Sequence, residues 1–212
     1  MSRRPLFLLL LAAVAVAGLF AGLHVFDAAP RQPRVTLETV QLMDAPRPLP
    51  PFSLQRGGEP ALTADMLRGH WTLVFLGYTH CPDVCPTTLA QMSHAQKQWA
   101  ALPADHRPRL LFVDVDPQRD TPETAAKYAH AFNPDTLAGT TDLDALQALA
   151  KSLSLVFMIN PPEAGAPRDQ YTVDHSAAMA VLDPQARLAG FVRAPFDTGA
   201  IARDMQALAA SP

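Results

Sequence analysis

Trp71-Thr-Leu-Val-Phe-Leu-Gly-Tyr78-Thr-His-Cys81-Pro-Asp-Val-Cys85-Pro86 is the stretch on which the fold turns. Residues 71–78 form a near-continuous apolar run, the pattern of a strand buried on both faces. A short polar turn carrying two cysteines follows. From Pro86 to Leu102 there is no further proline and few β-branched residues, so this segment reads as a helix. Working outward, Arg109-Leu-Leu-Phe-Val-Asp-Val115 repeats the buried-strand pattern. Thr121-Pro122 is an N-cap followed by proline at the first helical position, opening a helix to about Phe132. Asp142 to Leu153 places Leu143, Leu146, Leu149 and Leu153 at helical spacing. Leu155–Ile159 is a short strand. Ala177–Leu182 and Arg187–Val192 flank Asp183-Pro-Gln-Ala and read as a hairpin, and Asp197–Ala209 closes the chain as a helix.

Strand, helix, strand, helix, hairpin and final helix is an α/β order. The first βαβ unit should be parallel and right-handed, and the hairpin should add antiparallel strands. The expected architecture is therefore thioredoxin-like: a central mixed sheet with helices on both faces, and the cysteines at the first strand-to-helix turn. Met179, in an apolar strand, belongs to the core rather than to a metal site.

Composition narrows the function. Of 212 residues, 17% are charged and 49% hydrophobic, which excludes a disordered polar chain. Net charge is −3, and no Lys/Arg cluster offers a phosphate-binding surface, so nucleic acid is not an expected partner. Arg3 and Arg4 precede an uncharged run from Leu6 to Leu23, about 27 Å long as a helix and close to the ~30 Å apolar core of a bilayer. Residues 1–27 read as a membrane anchor with the N-terminus cytoplasmic. A cleaved signal segment is the competing reading, because Ala15-Val-Ala17 resembles a small-residue cleavage site. Either way the remainder is exported. Residues 28–50, rich in proline, read as a semi-rigid tether, and residues 51–212 as the domain.

Both cysteines precede a proline, which disfavours the helical region for each. That makes Pro86 the first helical residue and Cys85 its N-cap, with the sulfur facing free N–H groups that favour thiolate. Two thiolates on one tight turn can close a Cys81–Cys85 disulfide or hold one soft ion. Zinc and iron–sulfur centres want four ligands, and the chain has two cysteines. Copper(I) is content with two or three ligands from Cys, Met or His. A dithiol redox site usually has two intervening residues, and here there are three.

Seven histidines are available as a third ligand. His24 lies in the apolar run and His106 in a proline-flanked loop. His70 sits at the opposite end of the first strand, and His94 is two turns down the helix. His130 ends another helix, and strand alternation turns His80 away. His175 enters just before the hairpin's first strand, which brings it to the cysteine end of the sheet. On the residues alone, a ligand and a structural histidine both stand. Asp116 to Asp120 reads as a turn leading into the Thr121 cap, with an acidic patch near the site as the alternative.

Three blocks in order, Thr79-His-Cys-Pro-Asp-Val-Cys-Pro-Thr-Thr-Leu, Asp114-Val-Asp-Pro-Gln-Arg-Asp-Thr-Pro-Glu and Tyr171-Thr-Val-Asp-His-Ser, resemble the Sco/SenC family. The resemblance covers about residues 51–209. It implies a thioredoxin-like domain anchored at the bacterial inner membrane and facing the periplasm, or the mitochondrial intermembrane space in a eukaryote. It further implies one copper, Cu(I) or Cu(II), on residues that map to Cys81, Cys85 and His175. The implied function is that of a metallochaperone delivering copper to the dinuclear centre of cytochrome c oxidase subunit II. Pro161-Pro-Glu-Ala-Gly-Ala-Pro-Arg168 departs from the pattern, in a loop placed to influence partner choice. Two other roles use the same residues. A thiol–disulfide oxidoreductase would reduce the recipient's cysteines through the redox-active pair Cys81 and Cys85, and a copper or redox sensor would report to a partner.

Overall fold

The structure is a computed structural model that describes residues 36–162, 164–167 and 170–211. In chain order its elements are β1 (Gln41–Arg47), α1 (Ala64–Leu67), β2 (Thr72–Gly77), α2 (Val84–Trp99), β3 (Arg109–Asp114), α3 (Pro122–Phe132) and β4 (Leu137–Gly139). Then follow α4 (Leu143–Ser152), β5 (Phe157–Asn160), β6 (Thr172–His175), β7 (Ala178–Leu182), β8 (Leu188–Arg193) and α5 (Thr198–Ala209). Six strands form one mixed sheet in the order β1-β8-β7-β2-β3-β4. The ladders β2–β3 and β3–β4 are parallel, while β2–β7, β7–β8 and β8–β1 are antiparallel. This is the thioredoxin-like α/β arrangement expected from the sequence.

Every residue of β2 is buried. Successive side chains point to opposite faces of a sheet, so both faces are covered at its centre. Helix α2 packs against α5 and α3, and Trp99 Nε1 donates to the Ala202 carbonyl across the α2–α5 contact at 3.2 Å. The starts of α3, α4 and α5 were legible. Thr121 Oγ1 accepts from the Thr124 N–H, with Pro122 at the first position, and Asp142 and Asp197 accept from Ala145 and Ala200 in the same manner. Met179 is fully buried in the core.

The structure corrects three expectations. Residues 41–47, read as tether, form edge strand β1, and the compact unit begins at Leu37 rather than Pro51. Pro46 lies within β1, and at a sheet edge its missing N–H costs no ladder bond. Gly190 admits β1, since a side-chain carbon there would lie 2.3 Å from the Gln41 carbonyl oxygen. Second, β5 is not in the central sheet. It pairs antiparallel with β6, a strand absent from the sequence reading, to make a separate two-stranded sheet that carries His175. Third, α2 begins at Val84 with Asp83 as its N-cap, so Cys85 lies in the first helical turn rather than capping it. Pro86 is then the third helical residue, where an N–H would lack an intrahelical acceptor anyway. The segment read as an anchor, residues 1–27, lies outside the described residues; among those described, no helix is long and apolar enough to cross a membrane.

Candidate metal centre

The site is built where β2 ends. Residues 78–81 turn back on themselves, with the Cys81 N–H directed at the Tyr78 carbonyl at 3.4 Å, and α2 starts three residues later. The Cys85 N–H points at Cys81 Sγ, 3.3 Å away. Cys81 is half-buried and Cys85 fully buried, and both are free thiols. Gly77 makes room for the second sulfur, because a side-chain carbon there would sit 3.1 Å from Cys85 Sγ and 2.7 Å from Phe112 Cε2.

The two thiols are electrostatically unlike. Burial pushes the Cys81 thiol up, but the backbone N–H groups of Cys85, Asp83 and Val84 outweigh it and hold it below the ordinary range. Burial pushes the Cys85 thiol well up, and the neighbouring Cys81 adds to the shift. The helix start thus favours thiolate at Cys81 and not, as the capping argument had it, at Cys85.

His175 ends β6 and reaches Cys85 Sγ with Nε2 at 3.3 Å. Its Nδ1 lies 3.3 Å from the Ser176 carbonyl oxygen. A carbonyl only accepts, so Nδ1 carries the proton and the Nε2 lone pair faces the sulfur. Burial holds the imidazole pKa below its usual value, which keeps the ring neutral and able to bind a metal. The rings of Phe75 and Tyr78 meet the imidazole edge-on, with centroids 5.6 and 6.4 Å away. The ligand-capable atoms of Cys81, Cys85 and His175 all lie within 4.8 Å of one another. Two sulfurs and one neutral imidazole nitrogen at that separation can hold one soft cation or, with the sulfurs joined, form a disulfide.

The other described histidines stand apart. His94, His106 and His130 are exposed. His70 is buried at the opposite end of β2, with Nδ1 2.9 Å from the Arg107 carbonyl and Nε2 2.7 Å from Arg109 Nη2. His80 faces Asp120 instead of the thiols, with Nδ1 3.3 Å from Oδ1.

The segment 116–120 forms a turn, with the Arg119 and Asp120 N–H groups on the Asp116 carbonyl, and leads into the Thr121 cap. The sequence did not reveal that its carboxylates are buried and that one of them is bonded to the cysteine turn. Asp120 accepts from the Thr79 N–H at 3.0 Å and from the Thr79 hydroxyl at 2.5 Å. Asp114, at the end of β3, is fully buried, and its carboxyl is pushed up to about 9, chiefly by burial and then by the charge of Asp120.

Comparison with known proteins supplies the family. The chain is 32% identical over 166 residues to a Stutzerimonas stutzeri protein whose name links it to copper binding, across 77% of this chain and 78% of that one. It is 33% identical over 178 residues to the mitochondrial SCO2 homolog of Bos taurus, across 83% of this chain and 65% of the bovine one, just under two thirds. The structure of Bradyrhizobium japonicum ScoI with copper bound superposes with a TM-score of 0.65 at 30% identity, covering 75% of this chain and 98% of that one. The SCO1/SenC family model matches residues 41–210, so the chain belongs to the SCO1/SenC family.

Proposed function

We propose that this protein is a copper metallochaperone that binds one copper through Cys81, Cys85 and His175 and delivers it to the dinuclear copper site of cytochrome c oxidase subunit II. The observation that carries the reading is the approach of His175 Nε2 to Cys85 Sγ, 3.3 Å, beside a second thiol. Disulfide exchange needs only the two sulfurs, whereas a neutral imidazole beside them completes a three-coordinate soft site. Family membership and the copper-bound relative support copper as the cargo, and the oxidase as recipient follows from the family resemblance. The place of action we propose is the bacterial inner membrane with the domain in the periplasm, supported by Arg3, Arg4 and the uncharged run that follows.

X-ray absorption of the copper-loaded protein and its His175→Ala variant tests the ligand set. The expected result is loss of imidazole nitrogen scattering with both sulfurs retained, and unchanged nitrogen scattering would remove His175 from the site. The same variant tests the role in cells at limiting copper. A chaperone defect is relieved by added copper, while a reductase defect is relieved by thiol reductant, because an oxidised recipient cannot bind metal. Full oxidase assembly with His175→Ala would favour the second reading, a thiol–disulfide oxidoreductase. That reading has its own support in the pairing of an accessible, acidified Cys81 with a buried Cys85. A copper sensor using the same ligands would bind metal normally yet leave oxidase assembly intact when its partner contact is cut.

A further inference from the structure

The three ligand-capable side chains arrive on separate pieces of the fold. Cys81 and Cys85 follow β2 of the central sheet, while His175 ends β6 of the separate two-stranded sheet. His175 already meets the rings of Phe75 and Tyr78, and a further side chain, outside the ligand set, touches both pieces. Arg119, in the loop between β3 and α3, places its guanidinium 3.7 Å from the centroid of the Tyr171 ring and 5.7 Å from that of Tyr78. Its Nη1 donates to the Tyr171 carbonyl at 3.0 Å, and its Nε donates to Asp116 Oδ2 at 2.5 Å. The Tyr171 hydroxyl donates to the other oxygen of the same carboxylate. Asp116 is fully buried and fixed to the end of β3 by its own N–H on Asp114 Oδ1, 2.9 Å. Tyr171 lies four residues before His175 and Tyr78 three before Cys81.

Taking Cys81, Cys85 and His175 as the copper ligands, we infer that Arg119, oriented by Asp116, is a positioning residue that clamps the His175-bearing strand against the cysteine turn and so sets the imidazole-to-sulfur geometry. The residue type follows from the task. A planar fork donates to a carboxylate and a carbonyl in one plane while its face stacks on an aromatic ring, and a lysine ammonium offers no such combination.

The test uses the full chain as wild type, Arg119→Leu, Arg119→Lys and Tyr171→Leu, the last removing the stacked ring while leaving the Arg119–Asp116 pair. Two readouts are taken: nuclear Overhauser contacts between the His175 and Tyr78 rings without metal, and Cu(II) paramagnetic resonance with competitive copper affinity. The expected result in Arg119→Leu is weakened ring contacts, reduced nitrogen hyperfine coupling, and copper affinity lower by about 10-fold, the low end of what losing a direct outer partner of a ligand costs, because Arg119 acts through Tyr171 and Tyr78. Arg119→Lys should stay close to Arg119→Leu; full recovery by lysine would show that charge alone suffices and overturn the clamp. If Arg119→Leu does not fold, Arg119→Lys and Tyr171→Leu decide by the same signals. Ring contacts and copper signals at wild-type level in the folded variants overturn the inference. Weakened ring contacts with unchanged copper coordination keep the clamp and instead remove His175 from the copper, and the metal-free contacts decide the clamp even where no copper binds.

Discussion

Gly77→Ala tests whether the close approach of β2 to α2 sets the position of the buried thiol. The new methyl would meet Phe112 Cε2 at 2.7 Å and Cys85 Sγ at 3.1 Å. Ordinary contact begins near 3.4 Å, so the ring must retreat by roughly 0.7 Å and the sulfur by roughly 0.3 Å. Phe112 is fully buried between Phe75 and Tyr128, with ring centroids 6.3 and 5.7 Å away, and has little room to yield. Overpacking of this kind costs about 1–3 kcal/mol. Reduced freedom of the unfolded chain offsets about 0.4–1 kcal/mol of that. Taking the middle of both ranges, the net loss is about 1.3 kcal/mol, or a fall in melting temperature of roughly 3–5 °C for a chain of this size. Thermal melts of the reduced, metal-free protein read the first effect, and copper retention against a competing chelator reads the displacement of Cys85. An unchanged or raised melting point would refute the reasoning, since entropy alone would then describe the substitution.

Asp204 accepts from the N–H groups of Glu38, Thr39 and Val40 and from the Thr39 hydroxyl at 2.7–3.1 Å, tying the chain just before β1 to α5. Burial opposes its ionisation but these donors prevail, holding the carboxyl below its usual value; the stability it contributes is present above about pH 4 and lost as pH falls through the lower folded value. Asp204→Asn should cost about 1.5–3 kcal/mol at pH 7 and converge with wild type in acid, and equal urea midpoints at pH 7 would count against the tie. Asp114 has the opposite sign: folded, its carboxyl titrates at about 9 against about 4 unfolded, so its contribution is complete below about pH 4 and declines as pH rises toward 9. Asp114→Asn, neutral throughout, should flatten the fall in urea midpoint between pH 5 and 8.5, and parallel slopes would show that Asp114 is ionised in the fold.

What the sequence disclosed divides along a physical line. The strands β2, β3, β7 and β8 and the helices α3, α4 and α5 announced themselves because their signals are local: apolar runs, turn residues, N-caps. The nearness of His175 to Cys81 and Cys85 was legible from topology, since an antiparallel strand returning to β2 must begin where β2 ends, while its role as a ligand rested on the family resemblance. Hidden features all depended on contacts between distant segments. Strand β1 is mostly exposed and contains a proline, and only the Gly190 notch across the ladder makes sense of it. Strand β6 is four residues long and borrows its order from β5. Burial of Asp114, Asp116 and Asp120 could not be read from a motif that would look the same on an exposed turn. The acidity of Cys81 was assigned to the wrong sulfur because the helix begins two residues earlier than the prolines suggested.

That reassignment matters for how cargo would enter and leave under the chaperone reading. Thiolate is favoured at Cys81, which is partly open to solvent, while Cys85 is sealed and retains its proton. An arriving soft cation therefore meets an available thiolate first, and only its charge makes loss of the Cys85 proton favourable in the buried position. The imidazole needs no proton removed from Nε2, so it joins without further cost in charge. Release would also begin at the surface: an incoming thiolate of the recipient exchanges with Cys81, and reprotonation of Cys85 then drives the sealed sulfur off the metal. The same asymmetry serves disulfide chemistry, in which accessible Cys81 attacks and Cys85 resolves. The two uses share both sulfurs and diverge at His175, whose neutral nitrogen would be a ligand in the first and no more than a base for the Cys85 thiol in the second.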